Sequence, residues 1–294
     1  MEILTNAKIH FNNKILKKIV NVYQSENKYG DKPPGFGDFV KACFFLLQIC
    51  KFLNLDFDVN FKNHPISNYI DTTNQEDYGV NYPEVEYPTW ANAHSLPNGI
   101  EDFIKNLNNV DKEIYYITTN GWPILEIKKQ GIDIIKSKII PNKILENHIN
   151  NYMKNLDLTK KEFITIHIRF DDALFFENNI DKNYLSNAIK KIINISNKYK
   201  DSKILIISNS NLIKYNISKL NIKNICFKGS KSIHLGLQMN NSLDNNEAIV
   251  DTLKDFYVMG NSKLIISISC YDWGSCFSYM AAKLNFIPIV KYKI

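Results

Sequence analysis

Two periodicities alternate along this chain, and their order predicts its architecture. Residues Ile19 to Tyr23 read as a short strand. Phe39 to Leu53 lacks Gly and Pro and carries apolar residues at helical spacing, which predicts a long buried helix. Leu55 to Phe61 (LDFDVNF) then alternates as a strand, and His64 to Pro97 is rich in Pro, Asn and Tyr with little periodicity. Helical patterns at Gly99–Leu107 and Ile124–Ile135 flank a strand at Ile114–Thr118. A more polar helical stretch follows over Pro141–Leu158.

The second half is more regular. Strands at Phe163–Arg169, Lys203–Ser208, Asn224–Phe227, Leu264–Ser269 and Ile287–Val290 are interleaved with helices at Tyr184–Tyr199, Leu212–Leu220, Glu247–Gly260 and Ser275–Leu284. Such alternation implies a parallel sheet with helices on both faces. A length of 294 residues exceeds the usual single core. The expectation is two α/β lobes, residues 1–145 and 146–294, with a cleft between them.

Composition narrows the function. The net charge is +6, and the lysines are scattered instead of forming a block. That balance favours small anions such as nucleotide phosphates more than a nucleic-acid partner, for which no zinc-finger or RNA-binding spacing exists. Cys43, Cys50, Cys226, Cys270 and Cys276 are odd in number and show no CxxC, which fits a reducing, cytoplasmic setting. The most apolar run, Ala42–Cys50, is too short to span a bilayer, so no membrane anchor is expected. Walker, GxSxG, HExxH and EF-hand patterns are absent.

Arg169 is the only arginine among 36 Lys+Arg residues. In a chain rich in Lys, Asn and Ile, one retained arginine points to a planar fork gripping a carboxylate or phosphate, a geometry lysine cannot copy. Alternation places Thr165, His167 and Arg169 on one strand face, with Arg169 at the carboxyl end, where open α/β sheets bind ligands. Asp171, Asp172 and Glu177 follow as candidate partners or bases, with an ion pair from Arg169 to Asp171 or Asp172 as the structural alternative. A second cluster joins Asp255 to Ser267, Ser269 and the turn entering Ser275-Cys276-Phe277-Ser278, a helix start able to hold an anion. Pro33-Pro34-Gly35-Phe36-Gly37-Asp38 forms a Gly-x-Gly turn before the long helix. Asp56-x-Asp58 resembles a metal-binding DxD, but the strand's polar face explains it more simply.

Taken together, these motifs resemble the fucosyltransferase superfamily. Asp255-Phe256-Tyr257-Val258-Met259, Leu264-Ile265-Ile266-Ser267 and Gly274-Ser275-Cys276-Phe277-Ser278 with Ala281-Ala282 are similar to the C-terminal motif of α1,2-fucosyltransferases. Ile166-His167-Ile168-Arg169 resembles the His-x-Arg-Arg-Gly-Asp motif shared with α1,6- and protein O-fucosyltransferases, and Gly35-Phe36-Gly37-Asp38 resembles the N-terminal Gly-Leu-Gly-Asn turn. Phe170 and Asp171 replace the second Arg and the Gly of the central motif, and Gly274 stands where Asn is usual. The connection Ser269 to Trp273 is longer than the family's.

The resemblance implies a GT-B fold and inverting, metal-independent transfer of fucose from GDP-fucose to a glycan hydroxyl, without a cofactor. Arg169 would grip the diphosphate, and His167 would line its pocket. Asp255 would contact the nucleoside, Ser275, Cys276 and Phe277 would bind at the helix start, and Gly35 and Gly37 would approach the donor. Glu177, ten residues after His167, would be the base, with Asp38 as its rival. Two alternatives remain open: the same fold with another nucleotide sugar, or a non-catalytic nucleotide- or glycan-binding protein.

Overall fold

The computed structural model describes residues 11–24, 34–62, 64–73, 75–76, 97–170, 182–227 and 244–294. These divide into two compact units, one ending at Asn142 and the other beginning at Lys143.

In the first unit, β1 (Lys18–Val22) lies between β2 (Asp56–Asn60) and β3 (Ile114–Ile117), all parallel. Helix α1 (Phe36–Leu53) joins β1 to β2, and a 3-10 turn (Pro65–Asn68) follows β2. Helices α2 (Pro97–Asn108) and α3 (Lys129–Lys138) flank β3 in sequence. Phe39, Val40, Cys43, Phe44, Leu46 and Ile49 of α1 are fully or almost fully buried. Each such large apolar side chain contributes roughly 1.5–3 kcal/mol on leaving water, so the helix is fixed by its core face more than by its caps. Leu46, Ile49 and Leu53 pack with Phe103 and Leu107 of α2 and with Ile19 and Ile117 of the sheet.

Helix α1 starts three residues earlier than its apolar period predicts. Gly35 is the N-cap, and Gly37 lies inside the first turn. A first-turn glycine is cheap, because the N–H groups there lack intrahelical partners whatever the residue. The hydroxyl of buried Tyr23 donates to the Pro34 carbonyl at 3.0 Å, and its ring packs on Phe39 at 4.7 Å. The end of β1 thereby fixes where the helix begins.

The second unit opens with α4 (Lys143–Asn155). Its sheet comprises β4 (Ile164–Arg169), β5 (Ile204–Ser208), β6 (Ile225–Cys226), β7 (Leu264–Ser269) and β8 (Ile289–Lys293), in the parallel order β6-β5-β4-β7-β8. Helices α5 (Lys182–Lys198), α6 (Asn211–Ser218), α7 (Asp244–Met259) and α8 (Cys276–Leu284) connect them. Ile164, Ile166, Ile168 and Phe170 pack on Ala188, Ile192 and Ile195 of α5 and on Ile213 and Ile217 of α6. The other face of β4 meets α8, where the His167 and Phe277 rings stand 5.6 Å apart.

Helix and strand positions follow the sequence periodicity to within a few residues, with α3 the largest departure. It begins at Lys129 and not Ile124, because Pro123 to Ile127 form a loop held by Gln48, whose Oε1 accepts from the Ile124 and Leu125 N–H groups at 2.7 and 2.9 Å. No described helix is long and apolar enough to cross a membrane.

Candidate functional site

Each sheet reverses its direction of growth at one place. In the second unit the chain runs outward from β4 through β5 to β6, then returns to the other side of β4 as β7 and β8. The carboxyl ends of β4 and β7 therefore flank a topological switch point, where the outgoing loops diverge and leave a crevice for a ligand. Arg169 and Ser269 are register partners at those two ends, as His167 and Ser267 are one pleat earlier.

Parallel strands covered on both faces are usually apolar throughout. Here one face breaks that rule. Thr165, His167, Ser267 and Ser269 are all buried, and Arg169 is partly exposed at the end of the row. Ser278 of α8 reaches this face, its Oγ donating to Ser267 Oγ at 3.0 Å. Among the described residues, Thr165 Oγ1 and His167 Nδ1 have no hydrogen-bond partner. A buried polar atom left unpaired costs roughly 1–3 kcal/mol, so these two are retained at a cost to stability.

His167 is neutral at physiological pH. Burial pushes its imidazole down to about 3, and the Arg169 guanidinium adds to the effect. It therefore offers hydrogen-bonding nitrogens, and Arg169 supplies the positive charge.

Beyond β7, Tyr271 N–H donates to Ser269 Oγ and Gly274 N–H to the Tyr271 carbonyl, which shapes the loop entering α8. Gly274 has φ +81°, a conformation that side-chain-bearing residues adopt only with strain. Ser275 takes the N-cap position, but its side chain makes no capping hydrogen bond. Together with the first-turn N–H groups, which no helix satisfies from within its own backbone ladder, its hydroxyl makes this helix start suited to an anion.

Asp255 lies on α7 and is 3% exposed. The neighbouring Phe256 ring packs on Phe277 at 5.2 Å, so α7 is joined to the same aromatic cluster. Asp255 and Asp251 act electrostatically on Lys214 of α6, whose ammonium burial shifts downward against their pull, with Lys254 adding to the decrease. The structure thus gathers His167, Arg169, Ser275, Cys276 and Phe277 at one sheet edge, with Asp255 one helix position from Phe277's partner. Asp171, Asp172 and Glu177 lie outside the described residues.

Gly35, Gly37 and Asp38 belong to the first unit, at its own switch point. There β1 leads to β2 on one side and β3 lies on the other. Sequence reading missed the residue that organises this edge. Lys41, only 1% exposed, donates to Asp38 Oδ1 at 2.8 Å and to Asn120 Oδ1 at 2.6 Å, and lies 4.5 Å from the Trp122 ring centroid. The available signal was a lysine inside an apolar helical run, three residues after an aspartate.

Asp56 and Asp58 do not form a metal pair. Asp58 is buried and ion-paired with Lys138 at 2.7 Å, while Asp56 is exposed at the amino end of β2. All five cysteines are free thiols.

Comparison with solved structures places the fold. NodZ α-1,6-fucosyltransferase co-crystallised with GDP matches with a TM-score of 0.58 at 13% identity, over 94% of this chain and 95% of that one. The fucosyltransferase NodZ from Bradyrhizobium matches equally, with a TM-score of 0.58 at 13% identity over 94% and 95%. A mutant of Arabidopsis thaliana FUT1 in complex with GDP matches with a TM-score of 0.57 at 12% identity, over 100% of this chain and 75% of that one. The fold is of the GT-B type, with two Rossmann-like units.

No family model matches the sequence. Among curated proteins, the chaperone protein HtpG of Sulfurimonas denitrificans is 30% identical over 103 residues, 35% of this chain and 16% of that protein. Protein TIC 214 of Chaetosphaeridium globosum is 26% identical over 259 residues, 85% of this chain and 14% of that protein. The chain thus spans 16% and 14% of the length of these two relatives, and neither defines a shared activity.

Proposed function

We propose that this protein is an inverting glycosyltransferase that moves fucose from GDP-fucose to a hydroxyl of a glycan acceptor. The observation that carries this reading is the polar stripe ending in Arg169 beside Ser269 at the second unit's switch point, with an uncapped helix start at Ser275 completing it. The solved structures share the fold, and the reaction is argued from the site.

In this reading Arg169 and the α8 N-terminus hold the donor diphosphate, with Cys276 and Phe277 in the first turn and neutral His167 supporting Arg169 from beneath. Asp255 is directed to the nucleoside. The acceptor oxygen attacks the anomeric carbon from the face opposite the diphosphate, and the carbon–oxygen bond to GDP breaks with its electron pair leaving on the phosphate. The acceptor proton passes to a carboxylate, for which Glu177 and Asp38 are the candidates. Arg169 acts most strongly as negative charge builds on the departing diphosphate, which is where stabilisation accelerates the step. Free thiols fit residence in the reducing cytoplasm.

Calorimetric titration with GDP and UDP, followed by NMR of the anomeric product from GDP-fucose, tests the proposal. GDP is expected to bind at least tenfold more tightly, and the product to have inverted configuration. Preference for UDP would sink the fucose assignment, and GDP-fucose binding without transfer or hydrolysis would sink the enzymatic one.

A further inference from the structure

The loop between β7 and α8 carries an exposed tryptophan stacked on a tyrosine, a pair that neither the core nor the diphosphate grip uses. Trp273 is 59% exposed, and its ring lies on that of Tyr271 with centroids 5.0 Å and planes 16° apart. A single exposed apolar residue is ordinary on a protein surface. This pair is held in place. Tyr271 N–H donates to Ser269 Oγ, Gly274 N–H donates to the Tyr271 carbonyl at 3.0 Å, and Lys291 Nζ donates to the Trp273 carbonyl at 3.2 Å. Asp272, between the two rings in sequence, is ion-paired with Lys293. The backbone on both sides of Trp273 is therefore ordered before a ligand arrives, which lowers the entropy lost on binding.

Strand register gives the location. Arg169, Ser269 and Lys293 form one row across β4, β7 and β8, and His167, Ser267 and Lys291 form the row before it. Both lysines come from the strand on the side of β7 away from Arg169, and they tie the loop to that side. Two strand spacings, about 10 Å, separate the ends of the row. All of these residues belong to the second unit.

We infer that Tyr271 and Trp273 form a carbohydrate subsite, on which a pyranose ring of the acceptor glycan stacks beside the diphosphate grip. This inference rests on the transferase reading above. A pyranose presents C–H groups on its face and hydroxyls around its rim. The C–H hydrogens carry partial positive charge and match the electron-rich face of an indole. The hydroxyls both donate and accept, and the Asp272–Lys293 pair supplies an acceptor and donors next to the rings. That pair is neutral as a unit, and Lys291 is committed to the Trp273 carbonyl. The surface therefore suits an uncharged polyol better than a stacked base with its phosphate chain, which calls for a positively charged groove. A protein partner fits less well. Val290 and Tyr292 are also exposed, but strand alternation turns them to the sheet face opposite Lys291 and Lys293, so they do not widen the platform into an interface.

The test applies wild type, W273A and W273F to a printed array of neutral oligosaccharides and titrates each protein with GDP. Wild type should retain at least one glycan, and W273A should weaken that binding by at least about tenfold, because the stacking face is gone. W273F keeps a face and should recover most of the affinity. GDP affinity should be the same in all three proteins. Thermal unfolding accompanies the titrations, and a second readout needs no variant: the bound glycan should shift wild-type tryptophan emission to shorter wavelength as the exposed indole leaves water. Failure of every glycan to bind, glycan binding that survives W273A, or an unchanged emission spectrum overturns the inference. An equal loss of GDP affinity in W273A would assign the rings to the nucleotide, and self-association of wild type that W273A abolishes would assign them to a second copy of the chain, and either result overturns it as well. Glycan binding through Trp273 by a protein that does not bind GDP would refute the transferase reading and leave the subsite standing, a result distinct from GDP binding with no glycan bound.

Discussion

Arg169 and Ser269 face each other as register partners at the carboxyl ends of neighbouring parallel strands, the last pair before both chains leave the sheet. Ser269 Oγ accepts from Tyr271 N–H and so shapes the loop that leads to the α8 N-terminus. The guanidinium and the helix start thereby share one edge. If they grip a diphosphate, R169K retains the charge and loses the fork, so kcat should fall by at least about 100-fold and GDP affinity by about tenfold. Single-turnover kinetics and GDP titration check this, and near-wild-type turnover would refute the assigned role.

Ser275 offers a way to separate binding from folding. An N-cap serine replaced by alanine ordinarily costs about 0.5–2 kcal/mol because a capping hydrogen bond is lost. Here the side chain makes none. S275A should therefore shift the unfolding midpoint by no more than about 2 °C while weakening GDP binding about five- to tenfold. A large loss of stability with unchanged GDP affinity would make Ser275 structural.

The fold was largely legible because both units are built from long periodic elements. The strand ITIHIR and the helix Phe36–Leu53 could hardly be mistaken for anything else. The polar face of ITIHIR gave the direction of His167 and Arg169 correctly, but alternation alone suggests exposure of that face, whereas α8 buries it. Strand order decides this, and periodicity within one segment does not carry strand order. Lys41 escaped notice for a related reason. A lysine in an apolar helix normally extends its ammonium to water along its alkyl stem. Only the return of β3 beside β1 brings Asn120 and Trp122 close enough to enclose it. Ser275 lies at the helix start that the sequence predicts, yet the absence of a capping hydrogen bond from its hydroxyl is a matter of rotamer.

Gly121 tests the loop that carries Asn120 and Trp122. A Cβ at this position would come within 2.5 Å of Phe45 Cδ1, on a ring that is buried and packed on Phe103 at 5.6 Å. G121A should destabilise the protein by about 1–3 kcal/mol, because the buried Phe45 ring must shift to make room for the added methyl. Urea denaturation with an unchanged m-value would report this as native-state strain. A neutral result would mean that the loop relaxes easily and that Lys41 does not fix it.

His167 predicts a specific pH dependence of stability. Its ordinary value is near 6.5, and in the folded protein burial first and Arg169 second push it down to about 3. Between these values the unfolded chain binds a proton that the folded chain does not, so stability rises with pH across this window and is lost as pH falls. Above about pH 7 both states carry a neutral ring, so the slope vanishes and the stability is fully retained. Well inside the window the slope approaches about 1.4 kcal/mol per pH unit. Replacing His167 with Gln keeps hydrogen-bonding atoms and removes the titration, so the stability difference between wild type and H167Q should shift against wild type by about 1–2 kcal/mol from pH 7 to pH 5. Parallel denaturant titrations at the two pH values measure this. Identical pH dependence in both proteins would show that the folded state accepts a proton on His167, which would give the site a second positive charge beside Arg169.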